Sequence, residues 1–258
     1  MVLYLVSTGL ALVFLLRKSE ALPRLILGIT GCGFITHTVA LVSRTVVSSQ
    51  VSMTSFHEAL SFFSWALVLV FLLVDFRHRV HVLGAFILPL ASLSLISAAA
   101  LPQEVPTLQP VLGTVWLHVT LSILGTVGFA VAFAAGIMYV IQDGLLKSKK
   151  FNVLYSKLPP LDFLDYLNQQ SIVLGFPFLT LGIITGAISA EFARGSYLNW
   201  NPEQTWALVT WVFYFIVLLG RLTVGWRAKR AAYLTIIGFV GVLFTFIGVV
   251  LKGHGPLA

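Results

Sequence analysis

Apolar residues fill this chain in long runs separated by short charged turns, with little of the two-residue alternation of a half-buried strand. Runs near 2–16, 25–43, 56–74, 82–101, 114–141, 169–190, 205–220 and 231–251 approach the ~20 residues a helix needs to cross a bilayer. In lipid every backbone polar group must be satisfied within the segment, so such runs predict helices. The expected fold is therefore all-α: a polytopic integral membrane bundle of eight transmembrane helices, forming one domain over 1–258. The first run is short, but no basic residue precedes it, so it reads as a retained helix rather than a cleavable signal.

Composition agrees with the pattern. Of 258 residues 58% are hydrophobic and only 10% charged, against roughly 25% charged in soluble proteins, and the mean hydropathy is +0.97. A net charge of +7 would suit a nucleic-acid binder, but its distribution does not. Assigning alternate loops to opposite sides puts Arg17, Lys18, Arg24, Arg77, Arg79, Lys147, Lys149, Lys150, Lys157, Arg221, Arg227, Lys229 and Arg230 on one side. Arg44, Arg194 and Lys252 fall on the other. Cytoplasmic loops carry the basic excess, so both termini are expected outside, in a multi-pass protein of the cell's inner (cytoplasmic) membrane. The excess is topological: the implied partner is membrane lipid, with no nucleic acid. Cys32 is the sole cysteine, so neither a disulfide framework nor a CxxC motif exists.

The longest cytoplasmic connection, 142–168, carries Lys147, Lys149 and Lys150 and then Leu158-Pro159-Pro160-Leu161. Its two prolines interrupt any continuous helix, and the apolar residues after them suit a short helix on the membrane surface. A docking site for a cytoplasmic partner is the other reading.

Polar residues stand out against this background. His78 and His81 lie in a basic turn, where imidazoles ordinarily meet water and headgroups. His118, at the outer start of the fifth run, and His254, just past the outer end of the eighth, share one expected depth. Two imidazoles at one level suit bis-histidine ligation of an iron porphyrin; two interfacial histidines with no common role fit equally well. His37 lies about 10 Å inside the second run at 1.5 Å per residue, where a titratable group is a functional candidate; a bond to a backbone carbonyl is the alternative. His57 and Glu58 open the third run at the interface, where polar side chains reach water.

The outer loop 191–206 is rich in aromatics, glycine, proline and amides: Arg194, Gly195, Tyr197, Trp200, Asn201, Pro202, Gln204 and Trp206, with Trp211 following. Such residues form either an interfacial aromatic belt or a flat shelf for a macrocycle, with Arg194 or Arg44 available to its carboxylates.

Gly195 to Trp206 with Ala207 to Tyr214 resembles the tryptophan-rich signature, approximately WGxxWxWDPKETW, of the haem-handling cytochrome c assembly superfamily (CcsA/CcmC/CcmF). The similarity extends upstream through Leu158 to Asp165 and Leu174 to Gly186, and downstream through Arg221, Gly225 to Arg227, Ile237 to Phe239 and Gly253-His254. It covers 114–258, with the first four helices matching in layout; size and layout point to the compact HemX/YpjD-like branch. The resemblance implies that haem b is held externally by His118 and His254 as axial ligands flanking the aromatic loop. Trp200, Trp206 and Tyr197 would form the shelf, beside Gly195, Asn201, Pro202 and Arg194. His37 and His57 are further cofactor candidates, His37 for a second haem. The chain departs from the signature at Arg194, Leu198, Asn201 and Gln204. Loss of both signature carboxylates leaves an amide shelf that hydrogen-bonds without supplying negative charge.

The leading expectation is a haem carrier or assembly subunit that presents haem at the external face in cytochrome c biogenesis, without a hydrolytic or transferase motif of its own. It would work with apocytochrome c or with a synthesis subunit bearing a large external domain. An alternative is a haem-sensing regulator that contacts a cytoplasmic tetrapyrrole-synthesis enzyme through 142–168. A small-solute or metal-ion transporter, suggested by His37, lacks intramembrane acids and paired broken helices.

Overall fold

In the computed structural model, residues 1–17, 19–48, 55–100, 114–149, 152–197 and 202–252 are described, with side chains described in all but 47–48, 114, 193–194, 202–203 and 245–252. Among them are eight α-helices and no strand: α1 (Val2–Leu16), α2 (Ala21–Ser48), α3 (Phe56–His78), α4 (Gly84–Ala100), α5 (Thr114–Lys147), α6 (Leu161–Arg194), α7 (Pro202–Leu219) and α8 (Ala228–Lys252). Six stretches are long and apolar enough to cross a membrane: Ala21–Val46, Phe56–His78, His81–Ala100, Val115–Lys147, Leu161–Phe192 and Gln204–Val224. Helix α1 has the same apolar character over only 15 residues.

Local signals explain several boundaries. Ser55 and Glu58 close a capping box at the start of α3. That helix ends at Arg79, in the left-handed region (φ 55°, ψ 43°), with its N–H donated to the Asp75 carbonyl at 2.7 Å. Helix α7 opens on Pro202, where a missing N–H is harmless. The surface helix expected after Pro159-Pro160 does not form as a separate element. Proline breaks a helix from within but is tolerated at its start, so Leu161 begins α6 at once, and Leu164 and Leu167 are buried in its first turns.

The chain divides into two compact units, one of residues 1–110 and 141–163, the other of 111–140 and 164–258. In the first, α1 packs on α2 and α4, and α3 on α4 and α2. Hydroxyls join these apolar helices, as is common where lipid provides no hydrophobic drive: Ser64 donates to the Ala91 carbonyl (2.8 Å), Ser94 to that of Leu60 (2.9 Å), and Thr8 pairs with Ser92 (2.9 Å). Lys157 caps the end of α1 through the carbonyls of Phe14 and Arg17.

The second unit is built on a seam of small residues. A Cβ on Gly125 would meet the backbone of Leu179 at 2.7 Å, and one on Gly128 the backbone of Gly175 at 2.8 Å, so α5 and α6 touch main chain to main chain. Phe129 of α5 stacks on Tyr214 of α7 with centroids 3.6 Å apart, and Phe133 lies on Phe239 of α8. Asn168 ties three helices together by donating to the Ala132 carbonyl (2.6 Å) and to Thr235 (2.9 Å), and it accepts from Arg221. The Arg221 guanidinium also reaches Asp165 at 3.3 Å from a π-helical turn, Gly220–Val224, that ends α7.

Candidate functional site

His118 occupies the second turn of α5, half-buried against α6. Its Nδ1 lies 2.6 Å from the Gly182 carbonyl oxygen. A carbonyl only accepts, so Nδ1 carries the proton and Nε2 keeps the lone pair. The ring reaches this position because α6 has no side chain there: a Cβ on Gly186 would sit 2.6 Å from His118 Cε1 and Nδ1. Ser122, one turn along α5, is 3.4 Å from Nδ1 and contributes little.

Beside the imidazole is a cavity of about 110 Å³, walled by Gly186, Tyr197, Gln204, Ala207 and Leu208 among others. That is below the roughly 300–1,000 Å³ of enclosed small-molecule sites, so the described walls by themselves leave room for only a small group beside the ring. His118, expected as a ligand, and Tyr197, expected on the shelf, thus line one cavity, and Gln204, at a departed signature position, joins them. Gly195 takes φ +68° and donates its N–H to the Glu191 carbonyl at 2.8 Å, turning the chain out of α6. Trp206 is half exposed on α7, and Pro202 opens that helix. Trp200, Asn201, His254 and the side chain of Arg194 lie outside the described residues. Trp211 is engaged between helices: its indole N–H donates to Thr180 at 2.9 Å, locking α7 to α6, and its ring stacks on Phe215.

The first unit holds the other histidines. His57 Nδ1 lies 2.6 Å from the Ala98 carbonyl, and its Nε2 lies 3.1 Å from Arg44 Nη1. Both ring nitrogens are thereby engaged: Nδ1 donates and Nε2 accepts from the guanidinium. Arg44 also lines an apolar pocket with Thr38, Phe62 and Trp65. His37 Nε2 pairs with Ser61 at 3.0 Å, its Nδ1 is buried without a hydrogen-bond partner, and Tyr4 meets the ring edge-on at 5.8 Å. At the other end of α3, the two histidines of the basic turn behave differently. His78 is exposed, with its ring near Phe163, whereas His81 Nδ1 lies 3.0 Å from Oδ2 of the buried Asp75. Sequence reading missed that pair, because six residues and a helix end separate its members. Among the described residues no three His, Cys, Asp or Glu side chains converge on a metal-binding point.

Comparison with known proteins follows the chain over almost its full length. The family model described as cytochrome C assembly protein matches residues 53–257. The chain belongs to the cytochrome c assembly protein family. It is 31% identical to a protein named cytochrome c biogenesis protein CcsA from Guillardia theta, over 97% of this chain and 90% of that one. With the CcsA of Chlamydomonas reinhardtii it shares 35% identity, over 92% of this chain and 68% of the relative. A solved structure titled cytochrome c heme lyase CcmF has the same fold, with a TM-score of 0.66 at 15% identity; 98% of this chain covers 48% of it, so the chain spans about half that protein. The family match reaches back to α3 and α4, where the resemblance alone had offered layout. These relatives place the chain with CcsA and give no support to the HemX/YpjD-like branch. As a family member with six bilayer-length apolar stretches, it is a multi-pass membrane protein of cytochrome c assembly.

Proposed function

We propose that this protein binds haem b and holds or presents it at the external face of the cytoplasmic membrane for cytochrome c biogenesis. All eight helices cross the bilayer in this reading, with both termini outside. The basic side-chain distribution supports that orientation, and α1, about 22 Å long at 1.5 Å per residue, is accommodated by a locally thinned bilayer. His118 and His254 are the axial ligands; Tyr197, Trp200 and Trp206 form the shelf; Gly195, Asn201 and Pro202 shape it; and Arg194 takes a propionate.

The observation that carries the reading is the 2.6 Å bond from His118 Nδ1 to the Gly182 carbonyl. Metal-ligating histidines typically donate their second ring nitrogen to such an acceptor, which fixes the tautomer and aims the lone pair. The described donor, His118, is therefore one that suits haem iron. Bound haem supplies a planar iron centre with redox chemistry, while the protein orients the imidazole, stacks the ring and limits water. In the first unit, His37 with its unpartnered Nδ1 is the candidate for a second haem, and Arg44, held by His57, offers a guanidinium to a carboxylate. Apocytochrome c, or a synthesis subunit with a large external domain, is the partner that would receive the haem.

An absorption spectrum of the detergent-purified protein, oxidised and dithionite-reduced, with a pyridine haemochrome count, tests this. Sharp α and β bands of a six-coordinate b-type haem near unit stoichiometry are expected. A protein that remains colourless after reconstitution with hemin overturns the reading.

A further inference from the structure

At the end of α3 a tight turn builds another oriented imidazole. Arg79 adopts the left-handed conformation that favours glycine and swings the chain so that His81 faces Asp75, six residues back. His81 Nδ1 lies 2.9 and 3.0 Å from the two oxygens of that carboxylate, whose residue is 2% exposed. A carboxylate accepts, so Nδ1 donates, and in the neutral ring Nε2 carries the lone pair, on a side chain one-third open to its surroundings. Carboxylate–histidine pairs of this kind prepare an imidazole to bind a metal.

The space in front of this pair is a cavity of about 560 Å³, within the usual range of small-molecule sites. Its walls combine two guanidiniums, Arg24 and Arg79, with the apolar bodies of Pro23, Leu27 and Phe76; Glu20 is the one further acid. Phe76 is 90% exposed. We propose that this cleft is a further site for an iron porphyrin, distinct from both His118 and His37, with His81 Nε2 on the iron and Arg24 and Arg79 on the propionates. The proposal rests on the haem-binding reading above. In the orientation given there the cleft faces the cytoplasm, at the opposite end of the first unit from Arg44 and His57, where it receives haem on the supply side. A phospholipid headgroup would use the arginines and the apolar wall but has no use for an imidazole fixed by a buried carboxylate.

The test uses the full chain in phosphatidylcholine nanodiscs, carrying His118→Ala to remove the outer ligand. Hemin titration is followed by the Soret band and by electron paramagnetic resonance. A residual hemin site with a histidine-ligated signature is expected. Its affinity falls at least tenfold in His81→Ala and about tenfold in Asp75→Asn, and added imidazole restores the signature in His81→Ala. His81→Gln repeats the loss with less disturbance of packing, and His78→Ala serves as the neighbouring control that leaves binding unchanged. Residual binding that is indifferent to His81 overturns the proposal. So does binding lost only in Arg24→Gln/Arg79→Gln and competed by phosphatidylglycerol, which marks a lipid headgroup site. If the unmutated chain binds hemin and His118→Ala binds none, this cleft alone is refuted; if the unmutated chain binds none, the outer site falls with it.

Discussion

His118 in the second unit and His57 in the first are held in the same way, each with Nδ1 2.6 Å from a backbone carbonyl of the next helix. They differ at the other nitrogen. His57 Nε2 is closed off by Arg44 at 3.1 Å, whereas His118 borders a cavity shared with Tyr197 and Gln204. Fixing the tautomer is therefore not enough to make a ligand. The free lone pair must also face a space that another molecule can enter, and of these two it is His118 that lines a cavity, while Arg44 occupies the second nitrogen of His57.

The largest effect expected from this contrast comes from His118→Ala, which removes the outer ligand. Haem retained at that site through purification should fall to background, whereas His57→Ala should keep most of its Soret intensity; equal loss in both would erase the distinction. Next in size is Gly186→Ala, whose new methyl would sit 2.6 Å from the His118 ring. Displacing an oriented ligand should weaken haem affinity about 10- to 100-fold, measured by hemin titration, while Gly144→Ala, with nothing near its Cβ position, should leave affinity unchanged. An affinity for Gly186→Ala equal to that of the unmutated chain would show that the ring is not seated against α6. Smaller still is Arg44→Met, which releases His57 Nε2. In a His118→Ala background it should add weak imidazole-ligated hemin binding that His57→Ala then removes, and no gain would mean that more than the guanidinium closes this nitrogen. Ser122→Ala should change affinity less than twofold, because its 3.4 Å approach to Nδ1 is too long to matter. A tenfold loss would move the orienting role from Gly182 to Ser122.

The sequence made the helices legible because lipid-spanning segments must be continuously apolar, and the eight runs correspond to α1 to α8. Lengths were read short: α5 continues to Lys147 and α6 begins at Leu161, because polar residues at helix ends remain helical beyond the apolar zone. His118 was a candidate by residue type and level, and Tyr197 by the resemblance. The partners that give His118 its chemistry were not, since Gly182 lies 64 residues away and offers only a main-chain oxygen. Trp211 stayed open for a related reason. Tryptophan is equally at home in an interfacial belt, on a ligand shelf or between helices, and only the position of Thr180 decides among them. The Asp75–His81 pair was hidden by the left-handed turn at Arg79, which no helical or strand period describes.

The glycine seam between α5 and α6 has a mechanical consequence. Where Gly125, Gly128 and Gly175 meet, the contact is made by main chain, which has no rotamers to rearrange. A sliding motion of one helix along the other would drive carbonyl into Cα, so this pair acts as a stiff strut with His118 fastened near one end. If haem binds as proposed, ligand exchange at that end would then fall to rotation of the imidazole itself, with the distance between the two helix axes held constant by this seam.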